Sequence, residues 1–148
     1  MKKQKLYVGC ALSHAPQEFR DGVVKLKEKL REVGFEILEF ALVGDKPQEG
    51  VNIYDYDMSN VGNCDMFVVI ADLPSTGLGM ELERAKAISK PVLVFAHEES
   101  YVTNMITHML VKYGYSEVVR YKSHDEIPSH VEAKIEALEL ARNGPLFA

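Results

Sequence analysis

Three short runs, Leu6 to Ala11, Met66 to Ala71 and Pro91 to Ala96, carry no charged side chain and are rich in β-branched and aromatic residues. A strand with one wet face alternates apolar and polar residues, whereas a strand apolar on both faces belongs in a parallel sheet covered by helices on each side. The segments between these runs have helical periodicity. From Pro16 to Val33 the residues Phe19, Val23, Val24, Leu26, Leu30 and Val33 recur near helical spacing among charges, and Gly34 follows as a stop signal. Residues 52–63, 79–89, 104–113 and 125–142 read as further helices, while Phe35 to Val43 and Glu117 to Tyr121 supply two more strands. Strands alternating with helices imply right-handed crossovers. The expected architecture is α/β: a three-layer, doubly wound, mostly parallel five-stranded sheet of Rossmann or flavodoxin-like type, with Leu6 to Ala11 as its first and central strand.

The 148 residues fit a single domain over the whole chain, since about 100–200 residues per domain is usual. Against 17 Lys and Arg stand 22 Asp and Glu, and the net charge of −5 repels a phosphate backbone, which argues against nucleic acid as a partner. No apolar run approaches the roughly 20 residues of a membrane span, and the stretch Leu6 to Leu12 lacks a signal-peptide cleavage region. The expectation is a cytoplasmic protein without membrane contact. Cys10 and Cys64 have no Cys or His at metal-ligand spacing and read as buried thiols. His108, His124 and His130 show no ligand-like spacing either, so no metal is expected.

In an open parallel sheet, ligands bind beyond the carboxyl ends of the strands, which directs attention to the loops after Ala11, Ala71 and Ala96. The second of these carries Gly77-Leu78-Gly79 at the expected opening of a helix, a turn that presents backbone N–H groups to an oxygen or phosphate. A dinucleotide fingerprint needs a third glycine where Leu82 stands, and no phosphate-loop Gly-Lys-Ser/Thr ending follows. Neither NAD nor ATP is expected, nor any other cofactor.

At about 100° per residue, Leu78, Leu82, Ala85, Ile88 and Ser89 share an arc of roughly 120° that also contains Glu81, while Glu83 lies opposite. An inward carboxylate in the first turn of a helix is stabilised as an anion by the helix dipole, and partial desolvation makes it more reactive. It suits attack on an electrophilic carbon; the same position equally suits a cap or the partner of a buried cation. On the preceding helix Ile53, Tyr54, Tyr56, Val61 and Cys64 form one face with Asp57 near its middle, and Asp55 points away. Asp57 there either does chemistry or binds backbone amides at the sheet edge. Two carboxylates in different environments commonly divide labour between nucleophile and proton donor.

Taken in order, several segments resemble the nucleoside 2-deoxyribosyltransferases over about residues 5 to 113. They are Tyr7-Val8-Gly9, Asp57 with Asp65 before an apolar strand, Gly77-Leu78-Gly79-Met80-Glu81-Leu82, Lys90-Pro91-Val92 and Asn104-Met105-Ile106-Thr107. The resemblance implies base exchange on 2′-deoxyribonucleosides, with Glu81 as nucleophile at the sugar C1′, Tyr7 positioning it, and Asp57 handling the proton of the departing base. It also implies that Gly9, Gly77 and Gly79 line the substrate. Asn104 then contacts the sugar 5′-hydroxyl across a subunit interface, in a homo-oligomer acting on a nucleoside or nucleotide and a free nucleobase. Read from the residues alone, Asn104 is a helix N-cap. The chemistry is coherent, because a glycosidic C–N bond breaks through an oxocarbenium-like state that wants a carboxylate beneath C1′ and an acid near the base.

Ser75 stands six positions before Glu81, where many transferases carry an acid. A serine there resembles the related 2′-deoxynucleoside 5′-phosphate N-hydrolases, in which it helps bind the phosphate. Those hydrolases also place an arginine in the first loop, where Cys10 to His14 offers none and Ser13, His14 or a residue from elsewhere must substitute. Two rival expectations follow: hydrolysis of a 5′-monophosphate with the same carboxylates, and a non-catalytic nucleotide-binding module. His97 follows a strand end, Tyr54 and Tyr56 either stack on a base or fill the core, and the loop Gly44 to Gly50 sits where a substrate lid could sit.

Overall fold

The computed structural model describes residues 2–43 and 46–144. In chain order the elements are β1 (Lys5–Cys10), α1 (Gln17–Glu32), β2 (Glu36–Leu38), β3 (Leu42–Val43), β4 (Lys46–Pro47), α2 (Ile53–Asn63) and β5 (Met66–Ile70). They continue with α3 (Thr76–Ala87), β6 (Val92–His97), α4 (Asn104–Lys112), β7 (Val119–Tyr121), a 3₁₀ turn (His124–Glu126) and α5 (Ile127–Asn143). Five strands form one sheet in the order β2-β1-β5-β6-β7, every pairing parallel. This is the flavodoxin-like order of a doubly wound sheet, in which the chain reverses its direction of growth between β1 and β5. The expected central place of the first strand goes instead to β5, all five of whose residues are buried, with β1 beside it.

Alternation along β1 separates the two faces. Gly9 packs against Phe67 and Leu78, so the Tyr7 and Gly9 side of the sheet lies under α3, and α2 packs on α3 and β1 there. Leu6, Val8 and Cys10 point to the opposite layer, where α1 packs against β2 and α5. Helix α1 buries Val23, Leu26, Lys27 and Leu30, while Val24 and Val33 of the expected apolar stripe are exposed. It ends before Gly34, whose φ of +109° is a conformation only glycine adopts without strain.

Three expectations about elements are corrected. Helix α3 starts at Thr76 rather than Gly79, because the Ser75 hydroxyl accepts the Leu78 N–H at 3.2 Å and caps the helix three residues earlier. It also ends at Ala87, and Ser89 turns away at φ +56°, so Ile88 and Ser89 are exposed rather than on the buried arc. The stretch Phe35 to Val43 is not one strand. Only Glu36–Leu38 joins the sheet, because the following groups bond elsewhere: Asn60 donates to the Glu39 carbonyl at 2.7 Å and the Ala41 N–H donates to Asp57 at 2.9 Å. Leu42–Val43 then pairs antiparallel with Lys46–Pro47, and Gly44 and Asp45 of the expected lid loop lie outside the described residues. Finally, Ile53 and Tyr54 are exposed, since the first turn of α2 joins no core cluster; Asp57, Val61 and Cys64 are its inward residues.

Candidate active site

Tyr7 is the third residue of β1 and is fully buried. Its ring stacks on Phe67 with centroids 5.4 Å apart and meets the edge of Phe40 at 5.8 Å. The hydroxyl is thereby aimed between α2 and α3, at the carboxylates of Asp57 and Glu81. Glu81 is 9% exposed on the arc with Leu78, Leu82 and Ala85, while Glu83, two residues on, is exposed. Asp57 is half-buried, and one of its oxygens accepts the Ala41 N–H.

These three groups perturb one another. Burial raises the Glu81 carboxyl to about 7, the Tyr7 hydroxyl works in the opposite direction, and the charge of Asp57 adds to the rise. Burial likewise raises Asp57, against the Ala41 amide, the Tyr7 hydroxyl and the charge of Lys27, which all favour its anion. Tyr7 is pushed far up, by burial first and then by both carboxylates, and keeps its proton at any physiological pH. The Tyr7 hydroxyl oxygen and Glu81 Oε2 are both buried without a hydrogen-bond partner. Folded proteins pair the great majority of such atoms, which sets this buried pair apart from the rest of the core.

The other residues singled out from the sequence fall in different places. A Cβ on Gly9 would lie 2.6 Å from the Phe67 ring and 3.0 Å from Leu78, so the packing of α3 and the Tyr7–Phe67 stack requires a glycine here. Ser75, Gly77 and Gly79 sit at the start of α3, leading to Glu81; Gly77 and Gly79 are exposed, and a Cβ on Gly79 would have nothing within 4 Å of it. Asn104 is exposed on the first turn of α4 and is not its cap, a role taken by Thr103, whose hydroxyl accepts the Met105 N–H. Cys10 and Cys64 are buried thiols, pushed up by burial to about 12 and about 11.

Two cavities open on this edge of the sheet. The larger, about 600 Å³, is lined by Asp72, His97, Tyr121 and His124 at the ends of β5, β6 and β7, and by Lys25 from α1. Within it the Tyr121 hydroxyl donates to Asp72 and lies 3.0 Å from His124 Nε2, while Asp72 also accepts the His97 N–H at 2.9 Å. The smaller, about 460 Å³, is lined by Gln17, Arg20, Lys27, Phe40, Leu42 and Gln48 among others. Neither is lined by Tyr7, Asp57 or Glu81; Phe40 stands between the smaller cavity and Tyr7. Lys27, Arg20, Phe40 and Tyr121 are not among the residues that sequence reasoning singles out. For Lys27 a signal exists, since it falls one residue after Leu26 and three before Leu30 on the buried arc of α1. Among the described residues no cluster of His, Cys, Asp and Glu is arranged to hold a metal, and no helix is long and apolar enough to cross a membrane.

No family model matches the chain, and no curated protein matches its sequence. Solved structures do match in fold. The chain is similar to the Clostridium botulinum CMP N-glycosidase BcmB, with a TM-score of 0.63 and 18% identity over 87% of this chain and 99% of that one. It is also similar to a conserved protein from Enterococcus faecalis V583, at TM-score 0.61 and 18% identity over 90% and 99% of the two chains. The TIR domain of the Toll-related receptor TRR-2 from Hydra magnipapillata aligns at TM-score 0.59 and 15% identity over 90% and 97%. At these identities the likeness is one of architecture: an α/β fold with a parallel sheet and helices on both faces.

Proposed function

We propose that this protein cleaves the N-glycosidic bond of a 2′-deoxyribonucleoside or its 5′-monophosphate, with Glu81 as the nucleophile. The observation that carries this reading is Glu81 itself, a buried carboxylate with an unpartnered oxygen facing a tyrosine hydroxyl and a second carboxylate. Its oxygen forms a bond to C1′ as the C1′–N bond breaks. The electron pair passes to the base nitrogen, which takes the proton of Asp57. Tyr7, always protonated, is placed to orient Glu81, its hydroxyl lying near both carboxyls without a formed hydrogen bond to either. In transfer, the nitrogen of a second base attacks C1′, its proton returns to Asp57, and the Glu81 carboxylate is restored. The resemblance of the sequence to the deoxyribosyltransferases favours this fate of the intermediate. Asn104, exposed at the start of α4, is then the residue offered to a neighbouring subunit in a homo-oligomer.

A second reading, hydrolysis of the 5′-monophosphate by water, has its own support. Gln17 and Arg20 line a cavity one aromatic ring away from Tyr7, Ser75 opens α3, and the fold resembles that of a CMP N-glycosidase. Chromatography of the protein with deoxynucleosides and, separately, their 5′-monophosphates, each with and without a second free base, distinguishes the fates. A new deoxynucleoside formed only with acceptor base establishes transfer. Free base released mainly from monophosphates, indifferent to acceptor, establishes hydrolysis. No reaction in any mixture, with ligand still bound, leaves a binding module.

A further inference from the structure

Lys27 is a lysine at 4% exposure in a helix otherwise buried through Val23, Leu26 and Leu30. Its ammonium bonds Glu39 Oε2 at 3.0 Å and lies 3.8 Å from the centroid of the Phe40 ring. Arg31, one turn on, holds the other oxygen of the same carboxylate. These contacts grip residues 39 and 40 from the α1 side of the sheet. From the other side, Asn60 of α2 binds the Glu39 carbonyl, and the very next peptide beyond Phe40, at Ala41, gives its N–H to Asp57 of the same helix. Asn60 and Asp57 are one helical turn apart, so the segment 39–41 is stapled to α2 at two points and to α1 at two more.

We infer that Lys27 is a positioning residue for Asp57: by clamping Glu39 and Phe40 it fixes the Ala41 amide that orients the Asp57 carboxyl. This rests on the assignment of Asp57 as the proton donor. Lys27 touches no reacting atom. The groups that act on Asp57 are Tyr7 from β1, Glu81 from α3, the Ala41 amide, and the charge of Lys27 from α1, whose ammonium rests on the Phe40 ring. Of these, Lys27 is the one full positive charge. A structural role alone gives no reason for a cation here, since a buried ion is seldom worth more to stability than an apolar side chain of the same volume. Glu39 is about half exposed, so it can do without Lys27 at small cost.

The test replaces Lys27 by Met, which keeps the length and loses the charge, and by Arg, which keeps the charge. Two quantities are followed: the titration of the Asp57 carboxyl by ¹³C NMR, and kcat against KM on the substrate that wild type turns over. For Lys27→Met we expect unchanged or higher thermal stability, an Asp57 titration displaced upward, and kcat lowered about tenfold with KM nearly constant. Lys27→Arg should recover most of both. If Lys27→Met fails to fold, Glu39→Gln loosens the same clamp from an accessible position, and kcat should again fall with KM held. An Asp57 titration unmoved by Lys27→Met, or a loss of kcat that Arg does not recover, overturns the inference. If wild type turns over no nucleoside, the proposed reaction fails, yet the Asp57 titration still decides whether Lys27 governs that carboxyl.

Discussion

The Tyr7 hydroxyl and the Glu81 carboxylate face each other inside the core, and neither the hydroxyl oxygen nor Glu81 Oε2 has a hydrogen-bond partner. A buried polar pair left open costs stability that two apolar groups would not. Removing the hydroxyl should therefore cost the fold little while damaging the chemistry. In Tyr7→Phe the hydroxyl that favours ionised Glu81 is gone, so the Glu81 carboxyl should titrate above about 7. The expected outcome is thermal stability equal to or above wild type, with turnover at least about tenfold lower. Calorimetry with initial rates checks it, and a variant that unfolds in step with its loss of activity would count against an orienting role.

Glu81 should make the fold less stable as pH rises. Its folded pKa, about 7, lies above its ordinary value of 4.5, so between these two values the folded state binds more protons than the unfolded one. Stability is then full below about 4.5 and declines as pH climbs to about 7; at about 1.4 kcal/mol per unit, ionised Glu81 costs the fold about 3 kcal/mol. Glu81→Gln should abolish turnover and gain stability at pH 8, with little change at pH 4. Glu83→Gln, at an exposed position, should change neither. Urea titrations of the three proteins across pH would show the gain, and equal stability of Glu81→Gln and wild type at pH 8 would refute the buried-carboxylate argument.

Much of this architecture is legible in residue pattern. Runs such as Met66 to Ile70, apolar on both faces, admit little except an inner parallel strand, and the arc through Leu78, Leu82 and Ala85 places Glu81 inward and Glu83 outward. What escapes the pattern is tertiary. The alternation through Glu39 and Phe40 resembles strand, but those backbone groups find partners on α2, and nothing local announces a bond sixteen or twenty-one residues away. The glycines at 77 and 79 outweigh the Ser75 cap in a local reading because a glycine pair resembles a turn, although the helix runs through both. Lys27 reads locally as a solvated charge, since charge commonly marks the wet face of a helix.

The three glycines around the site should separate packing from ligand approach. Gly9→Ala forces a methyl to 2.6 Å from the Phe67 ring, which is stacked on Tyr7, and should destabilise by about 1–3 kcal/mol while disturbing Tyr7. At Gly79 a methyl meets nothing, and at Gly77 it meets only the Ser75 hydroxyl at 3.9 Å, so alanine in either should raise stability by about 0.5–1 kcal/mol through helix propensity. If the start of α3 approaches a substrate closely, Gly77→Ala or Gly79→Ala will gain stability and lose affinity together. Melting temperatures beside KM values read this directly; affinity unchanged in both would remove the start of α3 from the binding surface.

Asp57 and Glu81 should titrate as a pair, each raised by burial and each disfavouring the other's charge. In the proposed reaction the pair works while it holds one proton; that proton rests mainly on Glu81, the carboxyl raised to about 7, and the reacting form is the minor one with Glu81 ionised to attack C1′ and Asp57 protonated to release the base. Below the lower apparent pKa both are protonated and no nucleophile exists; above the upper one, near 7, the last proton leaves and no acid remains. The rate should thus peak on the acid side of neutrality and fall as pH passes about 7. In Asp57→Asn the falling limb should vanish for want of an ionising acid, and the loss of rate should be greatest for substrates with poor leaving bases. A rate that climbs through neutrality and stays high in alkali, or a loss equal across bases in Asp57→Asn, would show that the proton comes from elsewhere.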